Sequence, residues 1–312
     1  MADSGDVFAS AAACLRLVEG GQRSPRAAGR ARFASWNLRW FPDGSPGTAA
    51  RGTDVAWLAC VLAWLDADVV AVQEVKQTPK AERALATLLG ELNRLTGRRY
   101  RAQLDDCGRR VPQHVGLLFD EARVRASQLT TVGALNPTGA PCEGQLRPGL
   151  SGRFAFPGGL DLAVLSAHFK SRADPRSLGL REASFAALPG AFRAARAESG
   201  DADWLLLGDL NTMGCETCEP VVSAADELAA AQALLNRSDL RVLPADAKGT
   251  ELHRGRYVWL DHAVVSGQMR ELPAGATVHV AGPCGRPGAA PAKLPLSDHC
   301  PLLLDLIDAD LD

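Results

Sequence analysis

Short apolar runs that stop on a polar residue recur along the chain. Trp204-Leu205-Leu206-Leu207 reads as a buried strand, with Asp209 and Asn211 directly after it. The same pattern predicts strands at Arg32–Trp36, Val69–Val72, Val115–Phe119, Val124–Thr130, Gly152–Phe156, Leu160–Ser166, Tyr257–Val265 and Pro301–Ile307. Helical spacing predicts an amphipathic helix over Asp54–Leu65 capped at Thr53, another over Lys80–Leu95 and a third over Ala224–Leu235. A fourth runs from Ser177 toward Glu198, where Pro189-Gly190 is expected to kink or split it. The first 30 residues read as an Ala/Arg/Gly-rich extension and linker with a short helix near Val7–Val18, leaving residues 31–312 as one catalytic domain. Asn136–Pro148 and Ala281–Pro295 read as Gly/Pro-rich loops. Many strands with fewer helices point to a large layered α/β domain.

Composition narrows the function classes. At 312 residues and 46% hydrophobic the chain can bury a sizeable core, and it is not a disordered polymer. A formal net charge of −2 excludes a broadly basic protein that coats nucleic acid, but not an enzyme whose cations are local. No apolar stretch approaches the ~20 residues of a membrane span, and a monomer is expected. Asp3 and Asp6 with no basic start do not read as a signal peptide. Cys14, Cys60 and Cys300 sit in apolar surroundings and read as buried thiols. Cys107, Cys142, Cys215, Cys218 and Cys284 lie in loops where disulfides would serve an exported protein. Cys215-x-x-Cys218 lacks the partner pair of a zinc site. Location therefore stays open between export, with the leader absent from this chain, and the cytoplasm.

The polar edges of the strands share a chemistry. The strand before Trp36 ends in Asn37, Val69–Gln73 ends in Glu74, Leu162–Ala167 ends in His168 with Lys170 beyond, and Asp298-His299 precedes the last strand. In layered α/β folds strand ends converge at one rim. Glu74, Asp209 and Asp298 are hard oxygen donors, with Asn37 and Asn211 as amides, a set suited to Mg²⁺ or Mn²⁺ rather than zinc. Histidines beside them serve to move a proton or to meet a developing oxyanion. Each residue also has a plainer reading. Asp209 and Asn211 can form a turn, Asp298-His299 a strand-entry cap, His168 a satisfied core histidine, Asp261 a structural partner and Lys170 a solvated loop charge. Gln113-His114 stands before a neighbouring strand and reaches either the same mouth or none. His253, His262 and His279 read as surface or packing residues, and the cluster Arg98, Arg99, Arg101, Arg109, Arg110 as a phosphate-bearing lining or a solvated face.

SWNLRW around Asn37, DVVAVQEV around Glu74, SAHFKS around His168, GDLNT around Asp209, YVWLDHAVVS around Asp261 and LSDHCPLLLDL around His299 stand in one order along the chain. Together they resemble the endonuclease/exonuclease/phosphatase superfamily, which includes deoxyribonuclease I, AP endonucleases, neutral sphingomyelinases and inositol polyphosphate 5-phosphatases. The resemblance implies a four-layer α/β sandwich of two packed mixed β-sheets flanked by helices, with the site at one mouth. It implies Mg²⁺ (or Mn²⁺) held by Glu74 with Asn37 and Asp298. Asp209 would align or deprotonate water, Asn211 would contact phosphate, and His299 would act as base or phosphate-binding group with Asp261 or Asp298. His168 would stabilise the phosphorane or protonate the leaving oxygen. Apart from the resemblance, Lys170 and His114 are read from their positions as candidate substrate-binding residues.

Departures from the family narrow the choice among members. The inositol phosphatases carry an Arg soon after GDLN and a later Trp-Cys-Asp-Arg; here Thr212-Met213-Gly214 and Trp259-Leu260-Asp261-His262 stand instead. AP endonucleases usually have an asparagine where His168 stands. Aromatics are 5%, with no Trp/Phe-rich loop for a membrane. The expectation is a nuclease-like phosphodiesterase acting on DNA or RNA. A phosphatase or sphingomyelinase-like enzyme on a small-molecule or lipid phosphoester is the alternative, and an inactive binding module a third reading.

Overall fold

In the computed structural model, β1 (Arg30–Phe41), β2 (Val69–Val75), β3 (Tyr100–Leu104) and β4 (His114–Asp120) come from the first part of the chain. They interleave with α1 (Ala11–Glu19), α2 (Val55–Leu65) and α3 (Pro79–Thr96). Next come β5 (Arg125–Val132), β6 (Gly149–Ala155), β7 (Asp161–His168), α4 (Pro175–Ser199), β8 (Trp204–Asp209) and α5 (Ala224–Asn236). The chain ends with β9 (Leu240–Val242), β10 (Glu251–His253), β11 (Arg256–Val258), β12 (Asp261–Ser266), β13 (His279–Val280) and β14 (Leu302–Ile307). The described residues are 7–44, 52–136, 139–143, 146–253, 255–285 and 296–312. Asp3 and Asp6, and parts of the two Gly/Pro-rich loops, lie outside them.

Two six-stranded mixed sheets result, ordered β13-β14-β1-β2-β4-β3 and β5-β6-β7-β8-β12-β9. Side-chain alternation explains how they stack. In β1, Ala31 and Phe33 enter the core between the sheets, while Ala34, Trp36 and Leu38 pack toward α1–α3. In β8, Leu205 and Leu207 face the other sheet, while Trp204 and Leu206 pack with Phe185, Leu188 and Phe192 of α4. Both faces of each sheet are thus buried, which is why the strands read as unbroken apolar runs. The layers are helix, sheet, sheet, helix, as the sequence predicts.

Several expectations are corrected. The segment read as an extension is built into the fold: Cys14 and Val18 of α1 join the helix-side core, and Cys14 is disulfide-bonded to Cys60 in α2. Cys300 pairs with Cys284, so Cys14, Cys60 and Cys300 are not thiols, and Cys107–Cys142 and Cys215–Cys218 complete the set. The cap of α2 is Asp54, whose side chain accepts from the Trp57 amide, not Thr53. That helix is buried along all of Leu58–Leu65 rather than amphipathic, because α1 and α3 cover the faces that β1 and β2 leave. Helix α4 runs unbroken through Pro189, with Phe185, Leu188 and Phe192 anchored on either side. The strand expected over Tyr257–Val265 is interrupted at Trp259-Leu260, where the Leu260 and Asp261 amides donate to Thr250 Oγ1.

Removing the Cys14–Cys60 bridge with the double variant Cys14→Ala/Cys60→Ala releases a loop of 46 residues' separation in the unfolded chain. The expected cost is about 2–4 kcal/mol, read from denaturant unfolding against wild type. An unchanged midpoint and slope would show that α1 is held by packing alone.

Candidate active site

The alternation that builds the core also aims the polar strand ends. Asn37 continues the inward row of Ala31 and Phe33, His168 that of Leu162 and Val164, and Asp209 that of Leu205 and Leu207. Asp261 shares a row with Ala263 and Val265. Register aligns them across the second sheet, His168 opposite Asp209 and Asp209 opposite Asp261. One layer deeper, Gln73 Nε2 donates to Ser35 Oγ at 3.3 Å and to Ser166 Oγ at 3.4 Å, bridging the two sheets beneath the site.

Glu74 is the exception that the backbone corrects. Strict alternation from the inward Val69 and Ala71 would turn it toward the helices. The β2–β4 register shifts between Val72 and Val75, and Glu74 has φ 61°. The left-handed residue re-aims the carboxylate into the mouth, a common use of an irregular strand end. Its Oε2 accepts from the Trp40 amide at 3.0 Å. Arg39 and Trp40, with φ 49° and 52°, form the matching irregularity in β1, and Asn211 has φ 51°. With Arg172 at φ 91°, five left-handed non-glycine residues around one cleft mark a geometry kept for its side chains.

The cleft has a volume of about 480 Å³, and Glu74, His168, Asp209, Asn211, Asp298 and His299 all line it. Asp209 is 2% exposed. Its Oδ1 accepts from the Asn211 amide at 3.0 Å and its Oδ2 from Asn37 Nδ2 at 3.0 Å. His299 Nδ1 bonds Asp261 Oδ2 at 2.7 Å, and its Nε2 lies 3.8 Å from Asp209 Oδ2. His168 Nε2 lies 3.4 Å from Asp209 Oδ2 and 3.8 Å from Glu74 Oε1. Asp298 meets Arg39 Nε at 3.5 Å, and Asn211 Nδ2 donates to the Phe169 carbonyl at 3.3 Å.

Burial sets the charge states of these groups. It pushes the Asp209 carboxyl up to about 8, against the opposing pull of His299. Burial would neutralise His299 as well, but Asp261 and then Asp209 hold its imidazole protonated well above the usual range. His168 goes the other way: burial, then Arg147 and His299, hold it neutral. The two histidines therefore differ in kind, one an imidazolium tied to two carboxylates and one a neutral ring.

Of the predicted substrate-binding residues, His114 and Lys170 are not among those lining the cleft, and sequence reasoning missed others. His114 is fully buried with Nδ1 on Asp105 at 2.9 Å, and it is not among the residues lining the cleft. Asp105 also accepts from the amides of Val115 and Cys107, so it turns His114 into a strand anchor. Lys170 stands past the end of β7; burial, then Arg147 and Arg172, pull its ammonium below its ordinary value. His262 is a packing residue, bonded to Thr212 Oγ1 and Trp259 Nε1 and pushed down to about 4 by burial. Arg147, buried beside Gln113 with Glu74 and Asp209 in electrostatic reach, was overlooked. It precedes β6 as a polar strand edge like the others, but the Pro/Gly loop hid that signal. Glu251 and His253 also line the cleft, carried there by β10 through its bridge to His299.

The model of the endonuclease/exonuclease/phosphatase family matches residues 34–299. The human Nocturnin catalytic domain with bound sulfate is 16% identical over 90% of this chain and 95% of that one, with a TM-score of 0.57. D. rerio TDP2 complexed with a single-strand DNA product is 15% identical over 88% and 98%, with a TM-score of 0.58. A mannosyl-6-phosphatase of Bacteroides thetaiotaomicron is 16% identical over 89% and 99%, with a TM-score of 0.56. At these identities the likeness is one of fold. No curated protein matches the chain.

Proposed function

The chain belongs to the endonuclease/exonuclease/phosphatase family, and on that premise we propose that it is a divalent-metal-dependent phosphodiesterase that hydrolyses nucleic acid by attack of water on phosphorus. The observation that carries this reading is the meeting in one cleft of Glu74 with the Asp209–His299–Asp261 chain and the neutral His168. Asp209, with its raised pKa, is in its deprotonated form a stronger base than an ordinary aspartate, and in that form it is the group that takes the proton of the attacking water. Asn37 and the Asn211 amide hold its two oxygens, so the carboxylate is fixed before substrate arrives. His299, kept cationic by Asp261, faces the phosphate charge. His168, being neutral, donates a hydrogen bond to the phosphorane rather than a proton to the leaving oxygen. Arg147 and Lys170 add positive charge behind the cleft, both within electrostatic reach of His168, and Asn211 contacts the phosphate.

The donor set fits a hard ion. Every cysteine is disulfide-bonded, so no thiolate competes, and Glu74, Asn37 and Asp298 offer carboxylate and amide oxygens. These three residues would hold Mg²⁺ or Mn²⁺, which supplies Lewis-acid charge to a phosphoryl oxygen when bound. Four disulfides with no free cysteine favour an oxidising, exported setting for the protein. We take it to act as a monomer.

The likeness to TDP2 with a DNA product supports a nucleic-acid substrate, while the likeness to a sugar phosphatase keeps a monoester in view. A panel of plasmid, single-stranded DNA, RNA, sphingomyelin and a sugar monophosphate, each with Mg²⁺ and Mn²⁺, separates the readings. Strand cleavage is expected. Phosphate release from the sugar monophosphate with intact polymers would transfer the reading to a phosphatase.

A further inference from the structure

At the end of β8 remote from Asp209, a second group of acids gathers where no catalytic residue lies. Asp203 precedes the strand and Asp201 precedes it by two, with the Asp203 amide donating to Asp201 Oδ1 at 2.9 Å. Glu271 follows β12, the neighbour of β8, and the segment after β14 brings Asp310 and Asp312 over both. The Leu311 amide donates to Glu271 Oε1 at 2.8 Å, and the Ile307 amide donates to the Glu271 carbonyl at 2.8 Å. Oxygens of Asp201, Asp203 and Asp312 lie within 4.8 Å of one another, as do those of Glu271, Asp310 and Asp312.

A surface cluster of acids alone would mean little. Here Glu271 is 0% exposed and Asp203 6% exposed. The Glu271 Oε2 atom has no hydrogen-bond partner and belongs to a carboxyl that meets that of Asp203. Without a cation the two carboxyls can meet only by sharing a proton, and with both ionised a buried acceptor would be left without a donor, which is costly. Burial, then Glu271, raises Asp203 to about 8. Asp201 and Asp312 are also raised, each by burial first and then by neighbouring acids. The cations nearby are Arg153, shared between Asp161 and Asp201, and Arg270, which donates to the Leu311 carbonyl at 3.0 Å.

We propose that Asp201, Asp203, Glu271, Asp310 and Asp312 form a second cation site, for Ca²⁺, separate from the catalytic cleft. Ca²⁺ accepts six to eight oxygens in loose geometry, which a set of carboxylates from three chain segments can provide; Mg²⁺ demands a tighter octahedron. The ion displaces the proton that the buried Asp203–Glu271 pair otherwise shares, and it fastens the segment after β14 to the entry of β8 and the exit of β12. Those two strands carry Asp209 and Asp261 at their other ends, about 20 Å away at ~3.3 Å per residue. The site is therefore a clamp on the strands that hold the catalytic acids, and it makes no contact with substrate.

Calorimetric titration of CaCl₂ into chelator-stripped Glu74→Gln protein keeps the cleft out of the measurement and does not depend on activity. One equivalent of Ca²⁺ is expected to bind, and Tm to rise by about 5 °C at roughly 100 times Kd. Asp203→Asn should abolish both effects yet leave Tm in chelator unchanged or higher, because the amide donates to Glu271. Should that variant fail to fold, Asp310→Asn/Asp312→Asn changes exposed positions and should weaken Ca²⁺ binding at least tenfold. Absence of binding in Glu74→Gln, full binding in the carboxamide variants, or an equal response to Mg²⁺ would overturn the assignment.

Discussion

Asp209→Asn lowers kcat for phosphodiester hydrolysis by about 10²–10⁴-fold, the range for loss of a general base, while the protein stays folded. The amide is isosteric, and its oxygen can still accept from the Asn211 amide, as Asp209 Oδ1 does at 3.0 Å. It cannot accept a proton from water, and its NH₂ faces the Asn37 amide that now donates to Oδ2. Stability should fall only modestly, because burial already pushes the native carboxyl up to about 8 and the amide resembles its neutral form; the cost is the acceptor that Asn37 Nδ2 loses. Steady-state kinetics beside a thermal melt gives the decisive pairing. Activity within a few-fold of wild type would remove Asp209 from the reaction, and a large loss of Tm would make its role structural.

Arg181→Met is expected to cost about 3–5 kcal/mol, because it strands a buried carboxylate. Arg181 and Glu227 are 0% and 2% exposed in their side chains and meet bidentately at 2.6 and 2.9 Å. The same guanidinium donates to the carbonyls of Lys170, Arg172 and Gly214, and Glu227 Oε2 accepts from the Gly214 amide at 2.7 Å. One ion pair thus ties the turn after His168 to the loop after Asp209. The double variant Arg181→Met/Glu227→Leu removes the stranded charge and should regain much of the stability. Activity should not return with it, since the loop carbonyls lose their donor and Asn211 its fixed position. Denaturant unfolding and kcat measured on both variants check this. Recovery of activity together with stability would show that the pair contributes packing alone.

The layers and the strand ends were legible for one reason: a sheet buried on both faces leaves apolar runs whose first polar residue marks the rim. Asn37, His168, Asp209 and Asp261 all obey that rule and keep the inward parity of their strands. Glu74 does not, and it reaches the cleft only because its backbone turns left-handed, which the motif around it signalled but periodicity did not. His114 obeys the strand-edge rule, yet Asp105 claims it. Contacts between distant segments were out of reach. The bridges Cys14–Cys60 and Cys284–Cys300 take up Cys14, Cys60 and Cys300, whose apolar neighbours suggested thiols. Arg181 and Glu227 carry no local signal because their partners are loop carbonyls and one another. The split that Pro189 could have caused is absent, α4 being held to the sheet on both sides of it.

Cleavage of single-stranded DNA, followed as divalent metal is removed by chelator and then returned as Mg²⁺, tests the central claim most directly. Wild type should lose strand cleavage in chelator and regain it with Mg²⁺, and Glu74→Gln should stay inactive throughout. Undiminished cleavage in excess chelator, or a Glu74→Gln variant as active as wild type, would contradict a metal-dependent phosphodiesterase built around this cleft.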